Sequence, residues 1–266
     1  MIVDRDGHVH TPFCPHGTLD PLEKYVEEAI KAGLKTITFA EHAPLPLNFE
    51  DPVPEKDSAM EFRQLDSYFQ EIERVKMKYT SDILIKTGLE VDYIEGFESE
   101  VKAFLNEFGP RLDDAILSVH FLKKKQKNEY ICLDYSPDSF KELTTIFESV
   151  EGVADKYYET VLKSIYSDLG AYKPGRIGHM TLVRKFQKKF TGNTAPKEPI
   201  LAILNAIQDQ GYELDYNGAG TAKPLCREPY PPSWVADEAM KRNIPLIYGS
   251  DAHQAKEMMQ GSSQLL

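Results

Sequence analysis

Three histidines lie within eleven residues in the stretch DGHVHTPFCPH, at positions 6–16. Two of them, His8 and His10, are separated by a single residue. Imidazole nitrogens are common transition-metal ligands, and residues two apart on a strand point to the same face. The spacing therefore predicts that His8 and His10 offer two ligands to one metal ion.

The same spacing recurs at Asp251 and His253 in GSDAH, and Glu90 in TGLEVDY adds a second carboxylate. Imidazole and carboxylate together suit zinc, iron and manganese. One ion takes about four to six ligands, so we expect two or three divalent metal ions. The candidate metal ligands are all seven histidines and these two carboxylates: His8, His10, His16, His42, Glu90, His120, His179, Asp251 and His253.

Short β-rich segments alternate with segments of helical period along the chain, which is typical of parallel strands joined by crossover helices. We expect a single α/β domain over residues 1–266, a TIM-like (β/α)7 barrel with one strand fewer than the eight-unit fold. The predicted strands are 2–10, 35–43, 82–93, 113–122, 175–183, 212–218 and 244–253, with a short hairpin returning at 129–135. The predicted helices are 18–34, 58–79, 197–210 and 233–243, and 137–169 is largely helical.

Six of the seven histidines fall at or near the carboxyl end of a predicted strand, and His16 follows the first strand. In an α/β barrel these ends meet on one face, where active sites are built. We therefore expect the histidines to converge there. For any one histidine, a role in packing or in supporting a ligand is the alternative. The Pro-rich segment 44–57 reads as a long loop that could cover this face.

The overall charge restricts the class of partner. A formal charge of −11 repels polyanions, so we expect no nucleic-acid partner. No apolar run approaches the roughly 20 residues that cross a bilayer, and we expect a cytoplasmic protein without membrane contact. Cys14, Cys132 and Cys226 are expected to be free thiols. Cys14 lies between two candidate ligands, but packing is the favoured interpretation for it.

At this point the sequence resembles the polymerase-and-histidinol-phosphatase (PHP) family of metal-dependent phosphoesterases. The motifs that carry the resemblance are DGHVHTPFCPHG, ITFAEHAPLP, GLEVDYIEG, SVHFL, GHMTLVRKF and GSDAH. The first two, with KPLCREPYP, are similar to the monofunctional histidinol-phosphate phosphatases. The resemblance implies a distorted (β/α)7 barrel and a trinuclear metal centre of zinc, iron or manganese.

The resemblance also implies how the ligands divide. His8, His10, Glu90 and Asp251 would hold one metal, and Glu90 would bridge to a second held by His120 and His179. His16, His42 and His253 would hold the third. The implied activity is hydrolysis of L-histidinol phosphate, a small phosphate monoester, to L-histidinol and phosphate in histidine biosynthesis. We expect in-line attack by a metal-bridging hydroxide, and a metal-bound water, Asp251 or His253 could assist the leaving alcohol.

Cationic side chains are expected at the phosphate. Arg184 and Lys223 follow the fifth and sixth predicted strands, and Arg227 is a weaker candidate. The alternative is that Arg184 and its neighbouring lysines form a solvated helix face; these lysines are Lys185, Lys188 and Lys189. Lys123–Lys125 are expected in a solvated turn. The residues expected to contact the amine or imidazole of the substrate are Glu41, Asp92 and Asn217.

Three alternatives remain open from the sequence. The chain could act on nucleotides or nucleic-acid ends, although its acidic charge disfavours this. It could act on phosphotyrosine with the same metals, which requires an open cleft. It could also be a metal-binding module without turnover, which the complete ligand set disfavours. Nothing in the pattern predicts an oligomeric state.

Overall fold

Seven parallel strands form a nearly closed barrel in the computed structural model, which describes residues 3–124 and 129–265. Their order around the barrel is that of the chain, and two further strands form a separate antiparallel hairpin. The barrel strands are β1 (Arg5–Val9), β2 (Thr36–His42), β3 (Leu84–Asp92), β4 (Asp114–Ser118), β7 (Arg176–Ile177), β8 (Glu213–Asn217) and β9 (Leu246–Gly249); the hairpin is β5 (Phe121–Lys123) and β6 (Tyr130–Cys132). The predicted α/β barrel of seven strands is confirmed.

The barrel closes between its first and last strands. Val9 forms an isolated parallel bridge with Ala252, the Asp251 amide donates to the His8 carbonyl at 2.7 Å, and the His10 amide donates to the Ala252 carbonyl at 3.0 Å. This closure places the segment after β9 directly beside the end of β1.

Helices cover the outside of the barrel through amphipathic faces, as in α1, where Leu22, Tyr25, Val26 and Ala29 are buried. The helices are α1 (Leu22–Lys31), α2 (Leu65–Lys78), α3 (Glu98–Phe108), α4 (Pro137–Ile146), α5 (Val150–Tyr166), α6 (Lys197–Gln210), α7 (Ala219–Ala222) and α8 (Ser233–Lys241). Within the described part of the chain, none of them is both long and apolar enough to span a membrane.

Several local predictions differ from the structure. The first helix begins later than the predicted residue 18: it starts at Leu22 with Pro21 as its N-cap, and Asp20 accepts a hydrogen bond from the Ala255 amide. The predicted fifth strand shortens to Arg176–Ile177, because residues 182–186 form a 3-10 helix.

The lysine turn predicted at 123–125 is also only partly a turn. Lys123 belongs to the hairpin strand β5, and Lys124 pairs with Glu142 and Glu129, so neither is simply solvated. Lys125 lies outside the described residues.

Segment 44–57 contains no helix or strand, as predicted, yet it is anchored rather than loose. Phe49 and Val53 are buried in a small apolar cluster with Ile94, Phe121 and Tyr130. The Phe49 ring packs edge-on against Phe121 and Tyr130, with centroids 5.0 Å away in each case. This cluster fixes the loop over the hairpin beside the open end of the barrel.

Candidate metal centre

All nine candidate ligands converge at the carboxyl end of the barrel, because each lies at or just beyond the end of a barrel strand or in the loop that follows β1. His8 and His42 lie at the ends of β1 and β2, and Glu90 lies near the end of β3. His120 and His179 follow β4 and β7 by two residues. The convergence expected from the barrel topology is therefore observed.

Glu90 lies at the middle of the cluster and faces different histidines with its two oxygens. Its Oε2 is 3.1 Å from His42 Nδ1 and 3.3 Å from His8 Nε2. Its Oε1 is 3.0 Å from His179 Nε2 and 3.7 Å from His120 Nε2. A carboxylate in this position can link two cations, one on each side.

The pair His8 and His10 meets the pair Asp251 and His253 on one side of Glu90. His10 Nε2 is 3.1 Å from Asp251 Oδ1, and His8 Nε2 is 3.9 Å from the same oxygen. The strand-alternation argument for Asp251 and His253 was wrong, since both lie after β9 and Asp251 has a left-handed backbone (φ 54°). The turn, and not a strand, brings these two side chains together.

A second group forms at the outer edge of the centre. His16 Nε2 is 3.2 Å from His253 Nε2, and the His42 ring lies 5.2 Å from that of His16. The Cys14 thiol is buried within 4.8 Å of nitrogens of His10, His42 and His253. Burial raises the pKa of this thiol, followed by the effect of Glu41, so the neutral form is favoured.

Five of the seven histidines have Nδ1 hydrogen-bonded to a protein oxygen. The partners of His8, His10 and His120 are carboxylates, namely Asp215 at 3.0 Å, Glu41 at 3.1 Å and Asp92 at 2.8 Å. The partners of His16 and His253 are the carbonyls of Asp57 and Asp251. An acceptor at Nδ1 orients each ring so that Nε2 faces into the centre, where it can bind a cation once it has lost its proton.

In the centre, burial and neighbouring charges shift the pKa of the same side chain in opposite directions. Burial raises the pKa of Glu90, but His8 and the other facing histidines outweigh it and hold that pKa well below its usual range. Burial lowers the pKa of His120, yet Asp92 and Glu90 raise it to about 10. The Glu90 carboxylate is therefore ionised at neutral pH.

Metal ions fit this arrangement on grounds internal to the structure. Among the described residues, His8 Nε2 and His42 Nδ1 are buried and have no hydrogen-bond partner, although both point at Glu90. Unpartnered buried nitrogens are costly in a folded protein. Three sets of side chains bring their ligand atoms within 4.8 Å of one another: His8, His10 and Asp251; His42, Glu90 and His120; and His10, Cys14, His42 and His253.

The centre lies at the base of a cavity of about 440 Å³, a size that suits a small molecule. Val53 and Asp57 of the loop 44–57 form part of its wall. Two lysines line it among the described residues, Lys185 and the exposed Lys223. That the loop acts as a lid over the centre stays a prediction.

Four side chains predicted to contact substrate do not line the cavity. Arg184 pairs with Glu228 and donates to Thr194 Oγ1 at 3.1 Å, and Arg227 is exposed elsewhere. Buried Glu41 is occupied by His10, Thr11 and the His42 amide. Buried Asn217 donates to Asp215 and Asp251, both at 3.1 Å.

Glu41 and Asn217 are therefore not placed to contact the substrate, as was predicted for them. Their hydrogen bonds orient side chains of the metal centre instead. Of the predicted substrate contacts, Lys223 and Asp92 do line the cavity.

Sequence reasoning missed Asp215, Asp134 and Lys185. Asp215 is buried under His8, and its place in the strand YELDYNG two residues before Asn217 was an available signal. Asp134 and Lys185 are 51 positions apart, and only the fold brings them together at the cavity wall.

Comparison with known proteins bears on this site. The family model described as PHP domain matches residues 6–219. A histidinol-phosphatase of Bacillus subtilis (strain 168) is 49% identical over 256 residues, which cover 96% of this chain and 95% of the relative.

Solved structures agree with the fold. A Listeria monocytogenes protein proposed to be a histidinol phosphatase superposes with a TM-score of 0.93 and 39% identity, covering 98% of this chain and 99% of that one. A histidinol phosphate phosphatase of Lactococcus lactis, solved with zinc, L-histidinol and phosphate, gives a TM-score of 0.71 at 23% identity, covering 95% and 87%. At that identity the second match speaks for the fold alone.

Proposed function

Since this chain belongs to the PHP domain family, we propose that it is a metal-dependent phosphatase that hydrolyses L-histidinol phosphate to L-histidinol and phosphate in histidine biosynthesis. The observation that carries the chemistry is Glu90, whose two oxygens face separate sets of histidines. The substrate assignment is supported by the Bacillus subtilis histidinol-phosphatase, which is similar along nearly its whole length.

We propose that two or three divalent ions, zinc, iron or manganese, occupy the centre. The ligands would be the nine side chains named from the sequence, with Glu90 between two ions. When bound, such ions would supply Lewis acidity and a nucleophile at neutral pH for attack on phosphorus. Asp215, Glu41 and Asp92 would keep the histidine rings oriented through their Nδ1 atoms.

The protein's own groups must also manage a proton. The leaving alcohol needs one, and Asp251 and His253 both line the cavity beside the centre. Asn217 holds Asp251 Oδ2 at 3.1 Å, which fixes the carboxylate plane. We propose that a water molecule held by one of these two groups delivers the proton to the departing oxygen.

The test compares three substrates on one preparation whose metals are counted: L-histidinol phosphate, a phosphotyrosine peptide and an oligonucleotide with a terminal phosphate. We expect phosphate release from L-histidinol phosphate to exceed the other two by orders of magnitude in kcat/KM. A metal-loaded protein that prefers either macromolecular substrate would overturn the substrate assignment. A loaded protein that releases phosphate from none would overturn the enzymatic proposal.

A further inference from the structure

The cavity is rich in negative charge, which poses a problem for a phosphate ester. Its lining carboxylates are Asp57, Glu90, Asp92, Asp134, Asp251 and Glu257. A phosphate monoester brings up to roughly two further negative charges at neutral pH. Metal ions offset part of this, but a protein cation aimed at the phosphate oxygens would be needed to complete the balance.

Lys185 is the lining cation whose position the structure fixes. Its Nζ is 2.7 Å from Asp134 Oδ2, and the two side chains are 23% and 19% exposed. Burial lowers the pKa of Lys185, but Asp134 outweighs it and keeps the ammonium charged. The remaining two donors of this ammonium have no hydrogen-bond partner in the described parts of the chain.

The ion pair is attached to the same segments as two histidines of the centre. Lys185 lies in the 3-10 helix of residues 182–186, which begins three residues after His179. Asp134 follows Leu133, whose amide donates to the His120 carbonyl at 2.8 Å. The two backbones that position His120 and His179 therefore also position the ammonium.

Arg184 and Lys223, the other cationic side chains considered for the phosphate, are not held in place at the cavity in this way. The Arg184 guanidinium is bonded to Glu228 and Thr194 and does not line the cavity. Lys223 lines the cavity but is exposed, so binding would have to order a flexible side chain. Of the two lysines that line the cavity among the described residues, only Lys185 is held in place by an ion pair.

We infer that Lys185, positioned by Asp134, is the cationic side chain that binds the phosphate group of the substrate. The inference rests on the proposed function and assigns one of its contacts. Lys185 would be a binding residue, since it touches the phosphate oxygens, and Asp134 a positioning residue. An ammonium suits this task because it binds oxygens as a compact point charge.

The test measures equilibrium binding of inorganic phosphate to metal-loaded protein by calorimetry, so that it does not depend on turnover. Lys185→Met should weaken phosphate binding by about tenfold or more, the value of a lost charged hydrogen bond. Lys189→Met, an exposed lysine on the same segment, is the matched control and should bind phosphate as the unchanged protein does. Metal counts must agree among all samples.

Two further variants separate the contact from a structural effect. Asp134→Asn should weaken phosphate binding less than Lys185→Met does. Lys185→Met leaves the Asp134 carboxylate without its partner, and the double variant Asp134→Asn/Lys185→Met removes that carboxylate as well. The double variant should bind phosphate as weakly as Lys185→Met does. L-Histidinol, which lacks the phosphate, should bind equally to the Lys185→Met variant and the unchanged protein.

The outcomes are distinguishable. Unchanged phosphate affinity in Lys185→Met at equal metal content would overturn the inference, as would a parallel loss of L-histidinol binding. Failure of the unchanged protein to bind L-histidinol would instead count against the proposed substrate, while the phosphate measurement would still decide the role of Lys185.

Discussion

The Nε2 atoms of His120 and His179 lie 3.2 Å apart. Because His120 Nδ1 is bonded to Asp92, its Nε2 is turned toward the other ring. Two ligands of a tetrahedral zinc ion with ordinary zinc–nitrogen bonds are separated by about 3.3 Å. The separation of these two nitrogens is therefore that of two ligands sharing one cation.

Removal of metal should destabilise the protein. A cation that binds only the folded state at 100 times its dissociation constant adds about 2.7 kcal/mol, or roughly 5 to 10 °C in Tm for a chain of this size. We expect a chelator to lower Tm by at least that much and to abolish phosphatase activity, with both restored by added zinc or manganese. An unchanged Tm after complete metal removal would contradict this.

Asp92→Asn should weaken metal binding at one site only. Asp92 Oδ1 accepts from both His120 Nδ1 and the His120 amide, and loss of such a carboxylate costs about 10- to 100-fold in metal affinity. Competition with a graded chelator series measures this. The exposed Asp168, which pairs with Lys102, provides the control variant Asp168→Asn, for which no change is expected.

Arg184→Met should lower stability and leave substrate affinity intact. Its guanidinium joins Glu228 and Thr194 away from the cavity, and a partly exposed pair of this kind is worth about 1 kcal/mol. Denaturant unfolding should show that loss, and KM for L-histidinol phosphate should stay constant. A large rise in KM with unchanged stability would return Arg184 to the phosphate site.

Gly249→Ala should disturb the metal centre, because the added methyl group would collide with Asp215 and His8. A Cβ at Gly249 would overlap Asp215 Oδ1 and lie 2.7 Å from the His8 Cβ. We expect a loss of about 1–3 kcal/mol in the free energy of unfolding, with reduced metal content. Gly175→Ala is the matched control, because the nearest atom to its added Cβ would be 3.9 Å away. Equal metal content in both variants would refute the prediction.

The strands and the convergence of the histidines could be predicted because both follow from local pattern. Alternation of strand and helix fixes the barrel, and barrel topology then places strand ends such as those carrying His42 and Glu90 on one face. These inferences need no knowledge of side-chain contacts. The prolines of segment 44–57 likewise predicted a long loop there.

Contacts between distant side chains could not be predicted in this way. Arg184 and Lys185 are adjacent in sequence, yet the 3-10 geometry directs one to Glu228 and the other to the cavity. Similarly, the short β7 ends before His179, so strand periodicity says nothing about where that ring points. Turns and 3-10 segments decide these directions, and their sequence signals are weak.

The contact that closes the barrel, between β1 and the segment after β9, determines when during translation the centre can assemble. A nascent polypeptide halted before residue 251 would lack the Val9–Ala252 bridge and the side chains of Asp251 and His253. His8 and His10 would by then have left the ribosome without Asp251, which faces both of them. Assembly of the centre must therefore follow translation of residue 253, so it cannot guide the early steps of folding.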